Sequence, residues 1–315
     1  MENTAKIVPL TTGQSFSFNE VSNLYMMQYK GRDASFSSRL SFFVERMGHL
    51  PIGSIDADAI DDALDALRQR GKLHHGAGAR RGESLPSGKP LSGASLNRYR
   101  ATAQAVLTWA SKQRNIRKCL PRDWQNPVRL TQREAEGNGR TRYLTPEEYR
   151  NLQSACRLSA WPRLGLLVRL AVTTGARRGA LMGLRWCDVD LDAGRAAVGR
   201  TKNGSQFVLA LLPEVVTELR RFAPRQPNDE LVFCGRSPFK PMNFSKAYSN
   251  ALARAGIEGA CFHSLRHTHA SWLAQSGAEL LQIAESLNHK SLAMTKRYSH
   301  LCVASREKML SQVFG

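Results

Sequence analysis

The stretch that decides the fold is FHSLRHTHASWL, residues 262–273. Its His263 and Arg266 stand three positions apart, a spacing that places both side chains on one face of an α-helix. A second histidine, His289, lies in SLNHKS, 23 residues after Arg266. Tyr298 follows nine residues later in MTKRYSHL. Together these residues form a compact inventory of cationic, hydrogen-bonding and nucleophilic groups.

This inventory suits the attack of a tyrosine on a phosphodiester. The phenolate is the nucleophile, while the guanidinium and the imidazoles surround the phosphate with charge and hydrogen bonds. Such chemistry needs neither a metal ion nor a nucleotide, so the sequence predicts no cofactor. Taken alone, each histidine is more often a packed or exposed residue and a tyrosine is more often a packing aromatic. The prediction therefore depends on the whole set.

The charge of the chain points to a polyanionic partner. It carries 45 Lys and Arg against 26 Asp and Glu, a net charge of +19, with an isoelectric point near 10.2. Nucleic acid is favoured over a membrane surface, and charge kept for solubility is the alternative. Residues 66–122 concentrate 13 basic residues and a single acid, Glu83. This tract is typical of a surface that follows DNA phosphates.

The sequence also predicts a reduced, cytoplasmic and nucleoid-associated protein. Its six cysteines show no CxxC motif or pairing pattern, as expected for thiols. The first 17 residues are polar and lack the apolar core of a signal peptide. The most apolar stretch, LGLLVRLAV at 164–172, is interrupted by Arg169, so no membrane span is expected.

The N-terminal part is predicted to be helical. After a flexible segment, residues 1–17, three helices are indicated by SFNEVSNLYMMQY, ASFSSRLSFFVERMG and DADAIDDALDALRQRG. Asp56 or Asp58 suits the N-cap of the third helix, and glycines end the second and third. Residues 72–94 are rich in Gly, Ser and Pro and are predicted to form a long loop. A fourth helix is expected after an N-cap at Ser95.

A basic surface on this helical region, residues 18–118, is predicted to contact DNA. For any one side chain, a solvated helix face is the competing interpretation. The candidates are Arg80, Arg81, Arg98, Arg100, Lys112, Arg114, Arg117 and Lys118.

A second domain is expected after a linker at residues 119–142. Thr145, Pro146 and Glu148 form the signature of a capped helix start. Between residues 186 and 212 the hydrophobic period shortens and turn signals appear, which predicts a small antiparallel sheet. The remaining segments, including residues 291–311, are predicted to be helical. The domain is expected to end at residue 300, before an amphipathic tail helix at 301–315.

Further motifs resemble those of the tyrosine recombinases of the phage integrase family. They are TTGARRGALMGLRWCDVDL at 173–191, RTKNG at 200–204, HSLRHT at 263–268, and the histidine and tyrosine already named. The resemblance covers nearly the whole chain. It implies a mainly α fold with a small antiparallel β-sheet, arranged as a two-domain DNA clamp. The clamp would consist of an N-terminal helical core-binding domain and a C-terminal α+β catalytic domain.

The resemblance also implies catalytic roles. Tyr298 would attack the scissile phosphate, forming a 3′-phosphotyrosyl bond and releasing a 5′-hydroxyl. Arg177 and Arg266 would bind the non-bridging oxygens, since guanidinium is permanently charged and bidentate. Lys202, at a hairpin turn, would protonate the leaving 5′-oxygen.

Two histidines complete the implied site. His263 and His289 would donate hydrogen bonds to the phosphate and assist proton movement around Tyr298. A cationic pocket would stabilise the phenolate, whose free pKa is near 10. Two neighbouring cations are rivals: Arg178 to Arg177, and Arg200 to Lys202. Their positions in the motifs favour Arg177 and Lys202.

The chain departs from the family pattern at two positions. The acidic residue usually found three positions after the first arginine is here Ala180, which removes a carboxylate that buttresses the site. The usual Leu-Gly-His is here Leu287-Asn288-His289. Asparagine tolerates a positive φ better than most residues, so the second change is mild.

The leading hypothesis is a site-specific recombinase that joins two double-stranded DNA sites through a Holliday junction. It would be a homo-tetramer on DNA and a monomer when free. A type IB topoisomerase-like nicking and closing enzyme shares the chemistry. A catalytically weakened DNA-binding protein is motivated by Ala180. A metal-dependent transposase using Asp188, Asp190 and Asp192 lacks a distant acid to complete the cluster.

Overall fold

The computed structural model describes residues 15–31, 33–74, 85–137, 142–199, 207–226, 228–302, 311 and 313–314. The chain divides near residue 139 into two compact units. Each unit contains a hydrophobic core of its own. Within the described ranges, no helix is long and apolar enough to span a bilayer.

The first unit is helical. Its helices are α1 (Phe18–Gln28), α2 (Phe36–Met47), α3 (Ala57–Arg70), α4 (Gly93–Lys112) and the single turn α5 (Arg114–Arg117). Two short antiparallel strands, β1 (Leu73–His74) and β2 (Leu85–Pro86), follow α3. The apolar helix faces meet in a core whose fully buried side chains include Phe18, Phe43, Ile60, Leu67 and Leu107.

Local capping signals fix most helix starts of this unit. Ser17 and Glu20 form a capping box at α1, and Asp56 caps α3, so the first of the two predicted aspartates is used. The predicted N-cap of α4 at Ser95 is wrong, since Ser92 occupies that position and its hydroxyl accepts from the Ser95 N–H. Gly93 and Ala94 fit the first turn of the helix, which allows it to begin earlier.

The segment predicted as a linker packs, over residues 119–137, onto the first unit. Val128 is fully buried in a 3₁₀ turn at Pro127–Arg129, and the Asn126 amide donates to Gln104 O and Thr108 Oγ1 at 3.1 and 2.9 Å. Arg100 donates to Thr131 Oγ1 at 2.8 Å and to the Thr131 carbonyl at 3.0 Å. The guanidinium of Arg100 therefore holds this segment in place.

The second unit combines helices with one small sheet. Its helices are α6 (Pro146–Arg157), α7 (Leu164–Thr174), α8 (Arg178–Met182), α9 (Pro213–Arg220), α10 (Ser245–Arg254), α11 (Phe262–Gln275) and α12 (Leu280–Ser286). The capping box of Thr145 and Glu148 begins α6 as predicted. Helix α11 packs along α7, which places the motifs of 173–191 and 262–273 next to each other.

The predicted antiparallel sheet is confirmed. Strands β3 (Val189–Asp190), β4 (Arg195–Val198) and β5 (Phe207–Ala210) lie in that order. Val198 pairs with Phe207 where β4 ends and β5 begins. Residues 200–206, which lie between these strands in the sequence, are outside the described residues.

The helix predicted at 291–311 is wrong in its first half. The chain there forms two 3₁₀ segments, Leu292–Met294 and Lys296–Leu301. The Ser291 hydroxyl accepts from the Ala293 N–H, a local bond that competes with an α-helical ladder. Most of the predicted tail helix (303–310, 312 and 315) lies outside the described residues, as does residue 202.

Candidate active site

Helix α11 carries an arginine that is buried beneath the candidate site. Arg266 is only 5% exposed, and its guanidinium donates to the carbonyls of Gly175 and Leu287, both at 2.7 Å. Burial, followed by the charge of Arg177, lowers the Arg266 pKa to about 10. Arg266 therefore remains charged at neutral pH, and two backbone carbonyls fix its orientation.

The second arginine is placed by a glycine turn. Gly175 ends α7 with a φ of 61°, and a Cβ there would lie 2.6 Å from the His269 ring and 2.8 Å from Leu287 Cδ2. Only glycine fits this left-handed, crowded position. Arg177 follows as the N-cap residue of α8 and donates to the Asn288 carbonyl at 3.5 Å. Successive carbonyls, Leu287 and Asn288, thus hold the two arginines.

Asn288 shapes the turn that presents these carbonyls. With a φ of 48°, it is the one non-glycine residue with positive φ among those that the structure describes. The Asn288 N–H donates to Glu285 O and the His289 N–H to Ala284 O, both at 2.9 Å. These paired bonds form a Schellman motif at the end of α12, in which asparagine is a common alternative to glycine. The departure from Leu-Gly-His keeps the same backbone turn.

We expect Asn288→Gly to retain the site and Asn288→Val to damage it. A β-branched residue in the left-handed region costs about 1–2 kcal/mol, and misplacing the two carbonyls would slow DNA cleavage by about tenfold or more. Thermal unfolding and single-turnover cleavage of a nicked duplex measure the two effects. Equal behaviour of the Gly and Val variants would contradict this role for the turn.

The two predicted histidines border the arginines as neutral groups. His289 Nδ1 lies 2.8 Å from the hydroxyl of the fully buried Thr295. Burial, then Arg266, Arg177 and Arg297, lowers the His289 pKa to about 4. The pKa of His263 is lowered by burial and by the same three arginines. At neutral pH both rings therefore act as hydrogen-bonding groups rather than as additional charges.

Tyr298 is held in an apolar pocket with its hydroxyl against another histidine. It lies on the 3₁₀ segment Lys296–Leu301, is 3% exposed, and packs with Ala270, Ala274, Ile283 and Leu287. Its hydroxyl is 2.6 Å from Nδ1 of His267. Burial raises the Tyr298 pKa, although Arg297 and Arg266 act in the opposite direction. The two arginines therefore favour the phenolate, as expected of a cationic pocket, but desolvation is the larger effect in this conformation.

Sequence reasoning missed His267. Its signal was its spacing: it stands four residues after His263, so a helix places both on one face. The two rings meet edge-on, with centroids 4.9 Å apart.

Arg178, the rival of Arg177, lies over the Phe244 ring at 4.8 Å from its centroid.

A cavity of about 510 Å³ opens beside Arg177 and Arg266. Its lining includes Arg177, Ala180, Arg266, Asn288, Lys290 and the β-strand ends Val198 and Phe207. In the sequence, those strand ends come before and after the segment that contains Lys202. Lys202 and its rival Arg200 lie outside the described residues.

The comparisons with known proteins agree with this arrangement. A family model described as the phage integrase family matches residues 142–304. The chain belongs to the phage integrase family of tyrosine recombinases. Over 302 residues it is 25% identical to the integrase of Salmonella phage P22, covering 88% of this chain and 75% of that protein. It is 30% identical over 220 residues to the shufflon-specific DNA recombinase of Escherichia coli, covering 68% of this chain and about half, 53%, of that relative.

Two solved structures of integrases share the fold. The Tn1549 transposon integrase in complex with circular intermediate DNA matches with a TM-score of 0.69 at 15% identity, covering 94% of this chain and 99% of that one. A lambda integrase dimer bound to a COC′ core site matches with a TM-score of 0.66 at 20% identity, covering 90% and 95%.

Ala180 remains the departure of this chain from the phage integrase pattern. It is half-buried and lines the same cavity as Arg177. A carboxylate three positions after Arg177 would face that cavity, whereas here a methyl group does. The Arg177 guanidinium instead contacts the Asn288 carbonyl, which accepts from it at 3.5 Å.

Proposed function

We propose that the chain is a site-specific DNA recombinase that cleaves and rejoins strands through a 3′-phosphotyrosyl intermediate, without ATP or a metal ion. The observation that carries this proposal is one cluster of side chains in the second unit. Arg266 and Arg177 donate to the successive carbonyls of Leu287 and Asn288, directly before His289. Tyr298 contacts His267, whose ring meets that of His263. The charge of Arg266 acts to lower the pKa of both predicted histidines and of the tyrosine. Phosphoryl transfer to tyrosine is the reaction that uses all of these groups.

Each group has a step in the proposed reaction. Arg266 and Arg177 bind the non-bridging oxygens of the scissile phosphate and stabilise the charge that develops on pentacovalent phosphorus. The neutral His263 and His289 donate hydrogen bonds to the same oxygens. The Tyr298 oxygen attacks phosphorus as the bond to the 5′-oxygen breaks. Lys202 protonates the leaving oxygen. A second strand then reverses the step, and two such exchanges pass through a Holliday junction.

The first unit is proposed to be the core-binding half of a clamp around duplex DNA. Its exposed cations on α4, on α5 and directly after α5 can neutralise phosphates. They are Arg98, Lys112, Arg114, Arg117 and Lys118. Arg100 is removed from the predicted contact set, because its donors hold residues 128–131. Arg80 and Arg81 stay predictions, since they lie outside the described residues. Assembly on two sites is proposed to produce a tetramer.

The proposal is tested with a nicked duplex carrying the junction sequence found in DNA that flanks the gene. Cleavage next to the nick releases a short fragment, so rejoining fails and a covalent adduct accumulates. We expect adduct formation in EDTA, with peptide mapping by mass spectrometry placing the 3′-phosphate on Tyr298. An adduct on another residue, a 5′-linked adduct, or a requirement for a divalent metal would contradict the proposed function.

A further inference from the structure

His267 contacts the reacting atom of the proposed nucleophile. Its Nδ1 lies 2.6 Å from the Tyr298 hydroxyl, and the two side chains belong to residues that are 7% and 3% exposed. The contact joins α11, which carries the buried Arg266, to the 3₁₀ segment that carries the tyrosine. The family pattern and the six residues of the proposed site leave this histidine without a role.

We propose that His267 is the general base that accepts the Tyr298 proton during strand cleavage and returns it during rejoining. This inference rests on the proposed function and adds a residue to it. As the tyrosine oxygen bonds to phosphorus, its proton passes to Nδ1 and the bond from phosphorus to the 5′-oxygen breaks. The leaving oxygen takes its proton from a separate acid, so neither proton is shared. Rejoining reverses both transfers.

The surroundings of His267 keep its ring neutral and therefore able to accept a proton. It is faced by His263 and Arg266 on α11, by Arg297 and Tyr298 on the 3₁₀ segment, and by His289 after α12. Burial, then His263 and the other cationic neighbours, lowers the His267 pKa to about 4. At neutral pH the ring therefore carries a free lone pair. Phosphate binding adds negative charge nearby, which favours the imidazolium formed when the proton moves.

Tyr298 needs such a partner because its own environment opposes ionisation. Burial raises its pKa, so a phenolate formed before attack would be rare at neutral pH. His289 is a weaker candidate for the base, since its Nδ1 is engaged with Thr295. His267 Nδ1 is already at hydrogen-bond distance from the proton to be moved, which is the first requirement of a general base.

The test measures adduct formation on the nicked duplex in a single turnover across pH 6 to 9. In His267→Asn, an amide oxygen can still accept the tyrosine hydrogen bond but has negligible basicity. We expect this variant to bind DNA like wild type and to react about 10²–10³-fold more slowly at pH 7. Its rate should rise about tenfold per pH unit, because the phenol must then ionise to solvent. The wild-type rate should be nearly flat over this range.

His269→Asn is the matched control. His269 is also buried on α11, but its ring contacts the Val172 carbonyl at 2.8 Å and Ser286 Oγ at 2.7 Å. The control should keep the flat wild-type profile whatever its effect on stability. If His267→Asn is unfolded by circular dichroism, His267→Ala with added imidazole replaces it, and the base role predicts that imidazole restores the rate.

The outcomes separate the two proposals. The base role would be overturned if His267→Asn shows a flat pH profile and a near wild-type rate. It would also be overturned if imidazole does not raise the rate of His267→Ala. In both cases, adducts formed by the wild type would leave the proposed function intact. Absence of a wild-type adduct would remove the proposed function and this assignment together.

Discussion

Tyr298→Phe is expected to abolish covalent attachment to the nicked duplex while leaving DNA affinity within a few-fold of wild type. The change removes the oxygen of the proposed nucleophile and nothing else of the ring, which packs against Ala270, Ala274, Ile283 and Leu287. The lost hydrogen bond to His267 is worth about 1 kcal/mol of stability. The protein should therefore remain folded and competent to bind.

Denaturing gels of the trapped substrate and equilibrium binding measure the two quantities separately. Tyr143→Phe is the matched control, because Tyr143 lies in the same unit and its hydroxyl accepts from Gln275 at 3.3 Å. This control should attach at the wild-type rate. Attachment that persists in Tyr298→Phe would show that another residue is the nucleophile.

Arg266→Lys is expected to slow single-turnover cleavage by about 10³-fold, with a smaller effect on DNA affinity. The guanidinium spans the carbonyls of Gly175 and Leu287, each at 2.7 Å, while still presenting donors toward a phosphate. An ammonium group lacks the planar fork for this arrangement. Removal of one fixed donor to a transition-state oxyanion costs about 10²–10³-fold, and the loss of orientation adds to it.

Arg178→Lys provides the comparison for Arg266→Lys. Arg178 is exposed and lies over Phe244, so its replacement should leave cleavage within about twofold. Cleavage rates from chemical quench and melting temperatures should be measured for both variants. Loss of cleavage that tracks loss of folded protein in Arg266→Lys would mean that Arg266 acts through stability rather than on the phosphate.

Sequence reasoning predicted the features that depend on neighbours in the chain. The capping box at Thr145 and Glu148 and the short antiparallel sheet follow from local hydrogen bonding and hydrophobic period. The left-handed turn at Asn288 likewise depends on the residue type at one position of the chain. Sequence reasoning failed where two local structures were possible. It predicted Ser95 rather than Ser92 as the N-cap of α4, and an α-helix rather than 3₁₀ segments after Ser291.

The sequence by itself determined the family and indicated the chemistry that we propose, because residue type and spacing are properties of the chain. Only the tertiary structure decided that the Arg100 guanidinium donates hydrogen bonds to Thr131 rather than facing solvent without a protein partner. It also decided that His267 meets Tyr298 and that burial raises the tyrosine pKa. Burial and contacts across 31 residues depend on how helices pack, and that information is absent from spacing alone.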